Sequence, residues 1–184
     1  MKKLFLTTSF LVIGTTAIFA QKYMTRTGKI SFNATAPASP EKIEAVNNEV
    51  ASIVDAKSGE IVFQVLVKSF KFERELMQEH FNENYMESDK YPKADFKGTI
   101  SNPGSVNYSK DGTYPVNVTG KLTMHGVTND VIVPGTVIVK GNTIILKAKF
   151  TLNLKAYKID IPSVVSDKVA KEATIIMESD LVQK

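Results

Sequence analysis

The chain has 184 residues, 43% apolar and 23% charged, a profile that fits one domain with a sizeable core and excludes disorder over most of its length. It holds no cysteine, which excludes disulfides, thiolate nucleophiles, cysteine-ligated zinc, iron–sulfur clusters and a lipidated cysteine anchor. The formal charge of +4 is modest, and half of it comes from Lys2 and Lys3 at the start of the chain.

There, Lys2 and Lys3 precede an apolar stretch from Leu4 to Phe19, and Ala20 is a small residue suited to cleavage. The run falls short of the roughly 20 residues that span a bilayer, and Thr7, Thr8 and Ser9 interrupt it. The pattern predicts a signal peptide over 1–20, cleaved near Ala20, and one exported domain over 21–184. Without 1–20 the chain carries 21 basic and 19 acidic side chains, so no nucleic-acid partner is expected.

From Gly28 onward apolar residues alternate with polar ones. Ile30, Phe32 and Ala34 share one side of 28–36, and Ile61, Phe63, Val65 and Val67 share one side of the third such run. Leu122 and Met124 end another. The longest is Ile144, Leu146, Ala148, Phe150, Leu152 and Leu154, opposed by Lys147, Lys149, Thr151, Asn153 and Lys155. A period of two describes antiparallel strands with one dry and one wet face. Eight strands are predicted, over approximately 28–36, 43–53, 60–70, 95–101, 113–124, 129–139, 143–154 and 172–182. Ser58-Gly59, Asp111-Gly112, His125-Gly126 and Gly141-Asn142 supply turn chemistry between them.

One segment breaks the alternation. Leu76, Met77, His80, Phe81 and Tyr85 recur at helical spacing, which predicts one amphipathic helix over 73–86, between strands 3 and 4, with His80 in the core. The stretch 157–171 has no clear period and reads as a loop with a short helical turn. Strands of about twelve residues favour a closed barrel, since tilted strands are what closure requires. Eight strands enclose either packed side chains or one ligand, and periodicity leaves both open.

Motifs of catalysis are missing: there is no G-x-S-x-G, H-E-x-x-H, P-loop or G-x-G-x-x-G. The two histidines, His80 and His125, match no metal-ligand spacing, and His125 sits in a tight turn where a turn-stabilising role is expected. The acidic series from Glu73 to Asp89 is interleaved with Lys71, Arg74 and Lys90 and reads as a solvated face. Lys147, Lys149, Lys155 and Lys158 form an outward basic stripe that serves solubility, with steering to anionic head groups at a membrane surface as the sharper reading. What remains is a phenylalanine-rich interior. It is either a plain packed core or an oily cavity for a long hydrocarbon, which needs no polar cluster to be held.

Leu122-Thr123-Met124-His125-Gly126-Val127-Thr128, followed by Val131 and Val133-Pro134, resembles the Leu-Thr-x-His-Gly-Val-Thr signature of the YceI-like proteins. His80-Phe81 through Tyr91-Pro92 to Phe96-Lys97-Gly98 is similar to the family's aromatic segment. The resemblance implies an all-β fold: an extended eight-stranded antiparallel barrel of lipocalin-like shape. It also implies export to the bacterial periplasm and binding of polyisoprenoid or similar long-chain amphiphiles. Carried over by position, Phe81, Phe96, Leu122 and Met124 face such a ligand.

The leading expectation is a non-enzymatic lipid binder without a cofactor, its bound tail lying along Ile30, Phe32, Phe63, Val65, Leu122, Met124, Phe150 and Leu152. Ala34, Gly98, Gly120 and Ala148 are expected to leave room in the lumen. A solid-cored interaction domain is the second reading, and an enzyme centred on His125 is the third.

Overall fold

A computed structural model describes residues 21–184; the expected signal peptide lies outside the described residues. The elements run β1 (Lys22–Thr35), β2 (Glu44–Asp55), β3 (Glu60–Leu66), β4 (Lys71–Phe72), α1 (Glu75–His80), β5 (Lys93–Ile100), β6 (Gly112–Met124), β7 (Val127–Lys140), β8 (Thr143–Asn153) and β9 (Val169–Gln183). Eight strands pair antiparallel in the order β1-β9-β8-β7-β6-β5-β3-β2, and β1 pairs with β2 to close the barrel. The two residues of β4 extend one edge beside Ala45 and Val46 of β2. Closure leaves no long free edge, which is the usual solution for an all-antiparallel sheet of this length.

The first strand begins six residues before the expected one. Tyr23 and Gly28 are both buried while Arg26 and Thr27, adjacent in the chain, are both exposed. The pairing to β2 shifts register between Thr25 and Gly28, so a bulge reverses the inward phase at that point. Alternation is therefore readable only after Gly28. The third expected strand is shortened instead: β3 ends at Leu66, and Val67 keeps the apolar phase from within a 3-10 turn. The loop expected over 157–171 carries a 3-10 turn at Ser163–Val165.

The helix departs further from its expected form. Only Glu75–His80 is α-helical, and Phe81–Tyr85 widens into a π turn. Asn82 donates its side-chain amide to Gln78 O (2.8 Å), while Met86 N–H reaches five residues back to Phe81 O (2.9 Å). No residue of α1 is buried, and His80 is exposed, which corrects its expected place in the core. The helix lies over the end of the barrel rather than packing a full stripe against it, so its apolar residues face a space.

The interior is divided along its length. At one end Tyr23, Val54, Ile100, Val137, Ile144 and Leu181 form a sealed cluster, closed by Val106 and Tyr108 from the β5–β6 connection. Tyr23 and Tyr108 stack with ring centroids 5.7 Å apart. At the other end Ala34, Val67, Leu152, Tyr157 and Ile175 are buried, but most of the large inward side chains between these ends are only half-buried.

Candidate functional site

Half-burial of an inward side chain in a closed barrel means that it borders a space. Two apolar cavities lie in the open half. The outer one, about 350 Å³, is bordered by Phe32, Phe72, Phe81, Tyr85 and Ile161, with α1 across its mouth. The inner one, about 150 Å³, is bordered by Ile30, Phe63, Phe96, Val131 and Phe150. Ala94, Met124, Leu152 and Ile175 border both, so the two adjoin along the lumen at a waist formed by these side chains.

All ten residues expected to touch a ligand stand on these walls. Phe32 and Phe81 border the outer cavity; Ile30, Phe63, Val65, Phe96, Leu122 and Phe150 border the inner one; Met124 and Leu152 stand at the waist. They reach it from five strands and the π turn. The period-two code put the strand side chains inward, the π turn supplied Phe81, and closure of the sheet brought them together.

Two of the small residues behave otherwise than expected. Gly98 and Gly120 pair across β5 and β6, and neither borders the lumen. The Phe96 ring covers them: a Cβ on Gly98 would lie 2.6 Å from Phe96 Cζ, and one on Gly120 would lie 2.9 Å from it. The absent side chains seat an aromatic ring and leave no free volume. Ala34 and Ala148 do stand on cavity walls.

The outer mouth also carries an ionic clasp that no local sequence pattern announces. Glu41, in the β1–β2 connection, accepts from Arg74 ahead of α1 and from Lys168 Nζ (3.2 Å) ahead of β9. The three residues are far apart in sequence, so only the fold assembles them. Two cations share one carboxylate there, beside an apolar lining.

His125 holds the base of this assembly. It occupies the β6–β7 turn with φ 51°, followed by Gly126 at φ 73°, so both central residues are left-handed as a tight hairpin requires. Its Nδ1 lies 3.0 Å from Tyr157 O and its Nε2 lies 3.0 Å from a Glu87 carboxylate oxygen. The Tyr91 ring packs edge-on at 4.9 Å. The imidazole thus ties the turn to the segment after the π turn and to the 3-10 turn after β8. Among the described residues no group of three or more His, Cys, Asp or Glu side chains is placed to hold a metal ion.

A closed antiparallel barrel with an apolar lumen and a short helix over its mouth defines a class of small-molecule binding folds. The sequence profile of the YceI-like domain matches residues 11–179, and the chain belongs to that family. The fold is similar to a polyisoprenoid binding domain from Saccharophagus degradans implicated in plant cell wall breakdown. That match has a TM-score of 0.76 at 10% identity and covers 89% of this chain and 98% of that one. It is also similar to Burkholderia cenocepacia BcnA (TM-score 0.62, 19% identity, 84% and 96% covered). Campylobacter jejuni YCEI protein follows (TM-score 0.55, 16% identity, 77% and 86% covered). At these identities the likeness establishes the fold. No curated protein matches the chain.

Proposed function

We propose that this is an exported, non-enzymatic binding protein that holds a polyisoprenoid or another long-chain amphiphile inside its barrel. One observation carries the reading: ten inward apolar residues from six elements border two adjoining apolar cavities. Each CH₂ transferred into such a space contributes ~0.8 kcal/mol, so a chain of about fifteen carbons gains roughly 12 kcal/mol before entropic costs. Orientation follows from the polarity of the wall. The tail runs past Phe32 and Met124 to Phe63, Phe96 and Phe150, and the polar head stays at the mouth near Arg74 and Lys168.

The family to which the chain belongs and the polyisoprenoid-binding relative named above support this reading. Lys2, Lys3, the short apolar run that follows and the small Ala20 support export, and a periplasmic location follows for a Gram-negative host. Extraction of the purified protein with organic solvent, followed by mass spectrometry, tests it. A stoichiometric long-chain species is the expected result. A protein that is empty and also takes up no hydrophobic probe overturns the reading.

A further inference from the structure

The barrel wall is not zipped evenly. β7 pairs with β6 along its whole length, from Gly112↔Val139 to Met124↔Val127, and β8 pairs with β9 as far as Asn153↔Glu172. Between β7 and β8 themselves, the ladder runs only from Lys140↔Thr143 to Gly135↔Ala148. Below Gly135 the two strands have no backbone pairing with each other, although each is held firmly on its other side. The seam is closed again at its far end by side chains: Asn129 donates to Ala156 O (2.9 Å), and His125 Nδ1 lies 3.0 Å from Tyr157 O.

The slit coincides with the hollow part of the barrel. The paired portion of the seam is lined inside by Val137, Val139, Ile144 and Leu146, all members of the sealed cluster, and Val137 and Leu146 form the floor of the inner cavity. Its unpaired portion is lined by Val131, Val133, Phe150 and Leu152, which border the lumen. The last two pairs of the ladder, Thr136↔Lys147 and Gly135↔Ala148, also border the inner cavity, so the hollow begins where the pairing ends. Outside the slit, Ile132 is 70% exposed, an apolar residue at the lip of an apolar opening.

We propose that the β7–β8 seam is a side port, a second binding segment through which the apolar chain of a long ligand leaves the lumen. The proposal rests on the binding function above and extends it. A tail that descends from the helix-covered mouth meets the Tyr23–Tyr108 plug and has no axial way on. The slit beside Val133 and Phe150 offers it an apolar path outward. The length of chain the protein accepts is then not limited by the length of the lumen.

The chain has no cysteine, so a reversible staple across the seam is clean to introduce. Continuing the register of the paired portion sets Ile132 opposite Thr151, both outward-facing and away from the lumen. The variant I132C/T151C is closed by oxidation, or by a short thiol-cleavable cross-linker, and reopened with dithiothreitol. Binding of farnesol and solanesol, a short and a long isoprenol, is measured in both states. Closing the staple should leave farnesol affinity within about twofold and weaken solanesol binding by about tenfold or more, with recovery on reduction. Equal solanesol affinity in the closed and reduced states overturns the side port and leaves the binding function intact. Failure of the native protein to bind either isoprenol overturns both.

Discussion

Tyr23 and Phe150 obey the same rule, pointing inward from alternating strands, yet Tyr23 is fully buried whereas Phe150 is half-exposed inside the barrel. The contrast runs through the whole interior. At the plugged end, Val106 and Tyr108 fold in from the β5–β6 connection and fill the space between the strands. At the other end α1 spans the opening with no buried residue, and the 157–168 stretch sends in only Tyr157 and Ile159 at its start, which leave the cavities unfilled. What makes one half a core and the other a container is therefore the behaviour of the connections. The strands carry the same code in both.

The two halves should respond differently to truncation, and this is the largest effect expected. Leu181→Ala removes a fully buried side chain from a packed cluster and should cost about 2–5 kcal/mol in chemical denaturation. Phe150→Ala removes more atoms but from a wall already bordering a cavity, so it should cost less than Leu181→Ala. A larger loss for Phe150→Ala would mean that the lumen is packed. A charge sharpens the same contrast from the side of binding. Phe150→Arg or Met124→Arg puts a cation into an apolar space and should abolish loading of a hydrophobic probe, with circular dichroism reporting that the barrel persists.

The plugged end has its own signature in pH. Burial, with the nearby Tyr23 and Asp55 adding to it, pushes the Tyr108 phenol up to about 12. Its hydroxyl has no hydrogen-bond partner. Ionisation is therefore easier in the unfolded chain, where the group titrates near pH 10. The stability this phenol contributes is complete below pH 10 and is lost as the pH climbs toward about 12. Tyr108→Phe should flatten that loss and leave stability at neutral pH unchanged or slightly raised, because it deletes an unsatisfied buried hydroxyl. A steep Tyr108-independent loss over the same interval would contradict this. The smallest effect belongs to the covering segment of the open end. Lys158 takes φ 57°, a left-handed conformation that glycine adopts freely. Lys158→Gly should therefore raise the thermal midpoint by the equivalent of roughly 0.5–1 kcal/mol.

These comparisons also show how far the amino-acid order was legible. Alternation located every barrel strand, because a sheet with one wet face must show it, and it put the wall residues of β1, β3, β6 and β8 inside, whereas Phe81 came from helical spacing and Phe96 from the family resemblance. It lost the start of β1, where the bulge between Thr25 and Gly28 puts two exposed residues in a row. Helical spacing found α1 but misplaced His80, since a helix bridging an opening has no buried stripe to fix its face. Gly98 and Gly120 were misread because absent side chains look like free space until the ring that fills it, Phe96, is known. The Glu41–Arg74–Lys168 clasp had no local signal at all, and neither did the open β7–β8 seam. Both arise from segments that meet only when the sheet closes.

The central claim is that the half of the barrel beneath α1 is open to an apolar chain. A crystal structure of the protein purified from its host without delipidation tests it most directly. The account predicts elongated electron density running from the mouth past Phe32 and Met124 to Phe150 and stopping short of Tyr23 and Tyr108. Density showing the rings of Phe63, Phe96 and Phe150 packed together across the lumen, with no space between them, would contradict it.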